Sequence, residues 1–218
     1  MSEVVVSEVS KRFGGVVAVD GVSFCVDAGE SVCLFGPSGS GKTTLLRMVA
    51  GLERPDGGSI DIGGRCVSGN GTYVRPKERG AGMVFQDRAL WPHMTARKHV
   101  DFVLRPLGLS RGERLERVDA VLERCRLADR ARHRPGELSG GQCQRLAIAR
   151  ALVLKPKLLL LDEPLTSLDA ELREYFVEVF REEQKSGATI LFTTHHEEQA
   201  AMLADRVITM KELNQSST

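Results

Sequence analysis

Gly36-Pro37-Ser38-Gly39-Ser40-Gly41-Lys42-Thr43 decides how this chain is read. The stretch fits the pattern of Gly, four residues, Gly, Lys and then Ser or Thr, and the pattern has a specific chemistry behind it. Glycines let successive backbone N–H groups turn toward one point, and a helix starting there adds the positive end of its dipole. A triphosphate fits such a nest. Lys42 would reach its β- and γ-phosphates, the Thr43 hydroxyl would take one coordination place on Mg2+, and Gly39 and Gly41 would keep the walls close. The flanks match as well: Ser31 to Phe35 is a short apolar run like a buried strand, and Leu45, Leu46 and Val49 form a helical stripe ending at Gly51.

On the N-terminal side, Val4 to Val9 and Val22 to Val26 interleave β-branched or aromatic residues with small polar ones, which predicts half-buried strands. The turn between them holds Phe13-Gly14-Gly15. Phe13 suits either an adenine face or an ordinary strand-end aromatic. On the other side, Pro55-Asp56-Gly57-Gly58 and Gly63-Gly64 bracket a short strand, and Ser68-Gly69-Asn70-Gly71 reads as a flexible loop. This lobe is β-rich. Ala81 to Phe85 is a further buried strand ending at Gln86, where composition shifts toward Arg, Leu and Glu in helical patterns. Helices are expected from Thr95 to about Ala128, with Ser110 and Glu113 spaced for a capping box.

Leu138-Ser139-Gly140-Gly141-Gln142 precedes an amphipathic helix bearing Leu146, Ile148, Ala149 and Leu152. Ser139 and Gln142 satisfy a capping pattern, so one reading is simply a well-capped helix. The two glycines also leave that N-terminus bare, a second possible phosphate site. Leu158 to Leu161 is a continuous apolar run, as in a parallel strand covered on both faces, and it ends in Asp162-Glu163-Pro164. Adjacent carboxylates at a buried strand end are costly unless they have work. Asp162 can hold Mg2+ through water and Glu163 can orient or deprotonate an attacking water; a solvated strand-end pair is the plain alternative. Beyond a turn with Ser167 and Asp169, a helix is expected over Leu168 to Gln184, then a strand over Ala188 to Thr193. His195 and His196 follow, and two consecutive histidines on a helix cannot both face one site. Thr194 and Glu197 resemble another capping box, Asp205 to Met210 reads as the last strand, and a polar tail ends the chain.

The totals are permissive. A length of 218 residues suits one large domain or two small lobes, and 42% apolar content is ample for a core. Thirty Lys and Arg against 29 Asp and Glu leave a net charge of +1, so no polyanionic partner such as DNA is indicated. Cys25, Cys33, Cys66, Cys125 and Cys143 form no CxxC pair, which points away from zinc and toward a reducing cytosol. The N-terminus lacks a basic segment leading into an apolar one, and no apolar run approaches the roughly 18 residues of a membrane span.

Taken together, the loop at 36–43, Gln86, the stretch 138–142, Asp162-Glu163, Ser167-Leu168-Asp169 and His195 occur in the order found in the ATP-binding cassette family, which the chain resembles over nearly its whole length. The resemblance implies an α/β P-loop NTPase (RecA-like) core with a β-rich subdomain and an inserted helical subdomain. It implies one domain over 1–218, with the core in 1–86 and 156–218 and the helical part in 87–155. Gly36, Pro37, Ser38, Gly39, Ser40, Gly41, Lys42, Thr43 and Thr44 would bind ATP, with Phe13 stacked on adenine. Thr43, Gln86 and Asp162 would serve Mg2+, Glu163 would be the catalytic carboxylate, and Gln86 and His195 would sense or contact the γ-phosphate. Two cassettes would pair head to tail, so that Leu138, Ser139, Gly140, Gly141 and Gln142 of one approach the ATP of the other, with Asp169 at the seam. An isolated monomer would then bind ATP yet hydrolyse it poorly.

Phe85 to Thr95 looks most like the importer cassettes for sugars, polyamines and ferric iron. In those proteins a groove beside Gln86 receives a helix of the membrane subunit, which would explain Leu90-Trp91; packing within the helical lobe is the other account. The implied protein is an ATPase on the inner face of the cell membrane, held there by permease subunits and served by an extracytoplasmic solute-binding protein. The competing readings are a soluble ATP-dependent dimerisation switch and a small-molecule kinase, which leaves 138–142 without a role. Two features depart from the family. His196 stands where Asp is usual, which forgoes a negative charge near a helix N-terminus. The chain also stops soon after Met210, where related importers continue into a further strand and often a regulatory domain.

Overall fold

Where valines alternate with small polar residues the strands pair antiparallel, and where the apolar runs are unbroken they pair parallel. The computed structural model describes residues 2–215. In chain order its elements are β1 (Ser2–Phe13), β2 (Val16–Asp27), β3 (Ser31–Phe35), α1 (Lys42–Ala50), β4 (Gly57–Ile62), β5 (Arg65–Gly69), β6 (Thr72–Tyr73) and β7 (Ala81–Val84). There follow α2 (Ala96–Leu104), α3 (Arg111–Arg124), α4 (Gly140–Leu152), β8 (Leu158–Asp162), α5 (Ala170–Lys185), β9 (Thr189–Thr194), α6 (Glu197–Leu203), β10 (Arg206–Thr209) and α7 (Met210–Gln215). One sheet has the order β2-β1-β4-β5-β6 with antiparallel pairs, the other β10-β3-β9-β8-β7 with parallel pairing from β10 through β8.

The chain divides into two compact units. One comprises the chain up to Met83, Lys157–Glu163 and the chain from Phe176 onward. Its core joins Val4, Val6 and Val9 of β1 to Leu45, Leu46 and Val49 of α1 and to Leu158, Leu160 and Leu191 of the parallel strands, all essentially buried. Each such side chain contributes about 1.5–3 kcal/mol by leaving water. Buried Arg79 closes α1 from below: its guanidinium donates to the carbonyls of Met48 and Val49 in the last turn, and to those of Val67 and Val74. Two of these carbonyls, Met48 and Val67, also accept from the backbone N–H groups of Gly51 and Val74. The other unit comprises Val84–Pro156 and Pro164–Tyr175, so the segment after the two carboxylates groups with the helices rather than with the sheets.

Several expected boundaries move for identifiable reasons. Phe13 belongs to β1 rather than to the turn, which is left to Gly14 and Gly15. Ser68 and Gly69 extend β5, and only Asn70 (φ 51°) and Gly71 (φ 78°) turn the chain into β6. Asn-Gly is the pair that accepts left-handed backbone at both turn positions, so a hairpin forms where a flexible loop was expected. Helix α5 begins at Ala170, two residues late, because the Asp169 carboxylate accepts from Leu172 N and caps it. Thr194 makes no box with Glu197: its hydroxyl accepts from His196 N and donates to Gln199 Oε1. The last strand stops at Thr209. There Thr209 and Glu212 form a reciprocal cap, and the supposed tail folds as α7 with Met210 and Leu213 in the core.

Candidate active site

In the first unit the carboxyl ends of β3, β8 and β9 lie side by side, the edge where open parallel sheets gather ligand-binding groups. The loop 36–41 leaves β3 there. Gly41 is both left-handed (φ 96°) and crowded, since a Cβ on it would stand 2.3 Å from the Ala18 carbonyl oxygen; Gly39 is also left-handed (φ 82°) but faces open space. So β2 backs the loop directly. Helix α1 starts at Lys42 with no carboxylate in its first turn, leaving its positive end uncompensated from within. Lys42 is buried and its ammonium donates to the carbonyls of Gly36 (2.7 Å) and Pro37 (2.8 Å). Burial lowers its pKa, opposed by the nearby charges of Glu163 and Asp162.

Asp162 ends β8 fully buried. Its Oδ1 accepts from Thr43 Oγ1 (3.0 Å) and from Thr193 Oγ1 (2.7 Å). Burial pushes its carboxyl pKa up, while those two hydroxyls pull the other way. Thr193 also accepts from Glu163 N through the same hydroxyl (3.1 Å), and its carbonyl accepts from it at 3.2 Å. Glu163 is held at φ 48°, uncommon for a side chain of this kind and typical of residues fixed by their surroundings for a task. Its Oε1 lies 3.0 Å from His195 Nδ1. The histidines precede α6 rather than lying on it, with their rings 4.0 Å apart, so the helical-face argument against using both does not apply. His196 occupies the N-cap of α6 without a side-chain cap bond.

Lys42, Thr43, Asp162, Glu163 and His195 are thus gathered in one unit. Phe13 is half exposed at the end of β1, with the Lys11 ammonium 5.3 Å from its ring centroid. Ser38 and Gly39 are exposed, and Ser40 Oγ is buried without a hydrogen-bond partner beside Gly36. Oxygen donors from Thr43 and Asp162 suit a hard cation such as Mg2+, and the exposed loop with its bare helix end suits phosphate. Cys33, inside β3, has its thiol pushed up to about 12 by burial and is chemically quiet.

The second unit holds the rest. Gln86 is exposed just after β7. Ser139 caps α4 by accepting from Gln142 N (3.2 Å), and Gln142 Oε1 accepts from Ser139 N (2.8 Å). Gly140 is exposed, Leu138 is half-buried, and a Cβ on Gly141 would come within 3.0 Å of the Ser167 carbonyl oxygen. Trp91 packs within this unit, its ring stacked on His99 and edge-on to Phe102.

Two groups escaped the sequence reading. Thr193, which ties both carboxylates together, was signalled only by a polar pair ending an otherwise apolar strand. Buried Arg150, whose guanidinium donates to the carbonyls of Ala89 (2.6 Å) and Arg88 (2.9 Å), was masked by a helical pattern in which an arginine is unremarkable.

Comparison with known proteins shows what the chain is similar to as a whole. A family model described as ABC transporter matches residues 19–166. The spermidine/putrescine import ATP-binding protein PotA of Pseudomonas aeruginosa is 45% identical over 208 residues, 95% of this chain and 56% of that protein. The Fe(3+) ions import ATP-binding protein FbpC of Agrobacterium fabrum is 47% identical over 210 residues, 96% of this chain and 58% of that protein. The sn-glycerol-3-phosphate import ATP-binding protein UgpC 1 of Rhizobium johnstonii is 43% identical over 211 residues, 96% of this chain and 56% of that protein. The chain therefore spans little more than half the length of these curated relatives. Among solved structures, the dimeric ATP-binding cassette MJ0796 in a post-hydrolysis state with ADP and Pi superposes with a TM-score of 0.87 at 32% identity, covering 94% of this chain and 93% of that one.

Proposed function

We propose, from the premise that this chain belongs to the ABC transporter family, that it binds and hydrolyses ATP to drive a membrane importer of small solutes. The observation that carries the reading is the hydrogen-bonded set Thr43, Asp162, Thr193, Glu163 and His195 at the carboxyl edge of one sheet, next to a glycine loop. The first loop N–H groups and Lys42 would hold the β- and γ-phosphates, and Phe13 would cover the adenine. Lys42 is placed to exchange its two carbonyl acceptors for phosphate oxygens. Thr43 and Asp162 are the residues that would hold Mg2+. When bound, that ion supplies charge neutralisation across the phosphates.

Glu163 would orient and deprotonate the attacking water, while His195, hydrogen-bonded to Glu163, would contact the γ-phosphate and fix the carboxylate's direction. Catalysis then consists mainly of positioning and of charge stabilisation in an in-line attack. The dimeric state of the structural relative and the exposed, glycine-flanked start of α4 support a head-to-tail pair, in which 138–142 of one chain would complete the site of the other and Asp169 would lie at the seam. The names of the relatives, all import ATP-binding proteins, support coupling to membrane import; permease partners, an extracytoplasmic solute-binding protein and a place on the inner membrane face complete the proposed assembly. Among the described residues no helix is long and apolar enough to cross a membrane, so attachment would run through those partners.

Glu163→Gln tests the assignment. The variant should bind Mg-ATP as the parent does, release no phosphate and accumulate as an ATP-bound dimer by light scattering. Phosphate release at the parent rate would remove Glu163 from its role. Recovery of the tagged chain only in soluble complexes, rather than with permease subunits from gently solubilised membranes, would favour a dimerisation switch uncoupled from transport.

A further inference from the structure

Among the described residues, four of the eight non-glycine residues with positive φ fall in two short segments, Arg88 (64°) and Ala89 (44°) just beyond Gln86, and Glu163 (48°) and Ser167 (70°) around the turn after β8. Such backbone persists only where the surroundings impose it. For the first segment the imposing group is Arg150, which holds both carbonyls. In the second, Glu163 N is held by the Thr193 hydroxyl and carbonyl, and Ser167 is held by the first segment's own side chain: Arg88 Nη2 donates to Ser167 Oγ (3.0 Å) while Arg88 Nε donates to Gln144 Oε1 (3.2 Å). Gln144, buried in α4, in turn donates from Nε2 to the Pro164 carbonyl (2.9 Å). Gly141 admits the Ser167 carbonyl so closely that no Cβ fits without movement.

We propose that Arg88 is a positioning residue: it latches the turn 164–169 to the start of α4 and thereby restrains the chain that continues directly from Glu163. This rests on the ATPase reading for its consequence on turnover, but the latch itself stands on the hydrogen bonds above. Arg88 suits the task because a planar guanidinium presents several N–H groups in a fixed fork, so one side chain can fix two acceptors on different segments at once. Lysine, a point charge on a flexible stem, can hold either acceptor but not orient both. The latch also joins two segments with separate duties. The loop bearing Gln86 and the turn leading to Asp169 cannot move independently while Arg88 spans them, so a shift imposed at 86–91 is passed to 164–169 without involving the glycine loop.

The test uses the whole chain with Mg-ATP and two readouts. By hydrogen–deuterium exchange, Arg88→Ala should speed exchange of the amides in 165–169 while those in the middle of α4 stay protected. In steady-state hydrolysis kcat should fall about tenfold to a hundredfold, the loss typical of a misplaced reacting group, with KM and nucleotide Kd within about twofold of the parent. Arg88→Lys should recover part of kcat, and a cycle with Ser167→Ala should be non-additive. Unchanged exchange in 165–169 overturns the latch, whether or not the chain turns over ATP. Faster exchange with an unaltered kcat, a loss shared equally by Kd, or strict additivity with Ser167→Ala overturns its role in positioning. A parent chain that binds Mg-ATP but never releases phosphate is a failure of the ATPase reading instead, and the exchange result then still decides the latch.

Discussion

Replacing Thr193 by valine should show how much the two carboxylates depend on one hydroxyl. Thr193 is fully buried, and its Oγ1 donates to the buried Asp162 carboxylate at 2.7 Å while accepting from Glu163 N. Valine preserves the shape and deletes the donor. The bond to a charged, desolvated acceptor contributes about 1.5–3 kcal/mol, because a buried carboxylate that loses a donor bears the desolvation cost. Glu163 N keeps the Thr193 carbonyl at 3.2 Å, so that end loses little. With the extra methyl contact offsetting less than about 1 kcal/mol, the net loss is about 2 kcal/mol. For a chain of this length that corresponds to a fall in Tm of about 4–8 °C by scanning calorimetry at neutral pH. Thr193→Ser keeps the hydroxyl and removes one buried methyl, costing about 1 kcal/mol and half that shift. The gap between valine variant and parent should narrow in acid, since a protonated Asp162 needs the donor less. If Thr193→Val melts within about 1 °C of the parent, or Thr193→Ser is the weaker of the two, the hydroxyl does not hold the pair and the reasoning fails.

Gly41→Ala should cost far more stability and nucleotide affinity than Gly39→Ala; both sites are left-handed, a strain of about 1–2 kcal/mol, but only at 41 does the new Cβ meet the Ala18 carbonyl. Equal losses in denaturant titrations would contradict the crowding argument. His99 is kept neutral by burial, its Nε2 accepting from Trp91 N and its Nδ1–H donating to the Thr95 carbonyl. Its pKa is lower folded than unfolded, so below about pH 6.5 the unfolded chain takes up the proton first and stability declines as pH falls. His99→Gln should flatten that slope in urea titrations between pH 7 and 5. Asp162 has the opposite sign: its raised pKa makes the folded state bind the proton first, so stability falls as pH rises from the ordinary aspartate range to the raised value. Asp162→Asn should abolish that decline in the same titrations.

The parts legible in the sequence were those written locally. The loop 36–43, the strand before it and the helix ending at Gly51 are specified by neighbouring residues, and so are the caps at Ser110 and Ser139. Thr209-x-x-Glu212 carried the same kind of signal and went unread because an apolar run led into it. What resisted was contact between distant positions. Thr193 meets Asp162 only because β9 lies beside β8, and nothing in either strand's composition states that pairing. Arg79 and Arg150 are similar cases: one sits in a polar turn and the other in an apolar helix, and the burial of each follows from carbonyls elsewhere in the fold. The histidine pair was misjudged for a related reason, since the helix it was assigned to begins one residue later.

The contact between Gly41 and the Ala18 carbonyl joins the glycine loop to the very strand whose hairpin partner carries Phe13, through the registers Phe13↔Val16 and Arg12↔Val17. Under the nucleotide reading this makes the first unit a caliper. One jaw is the phosphate nest, the other the aromatic platform, and the span between them is set by backbone against backbone rather than by side chains that could repack. Such a gauge measures the length of a nucleotide, from base to terminal phosphate, and it would go out of true with a single methyl group at position 41.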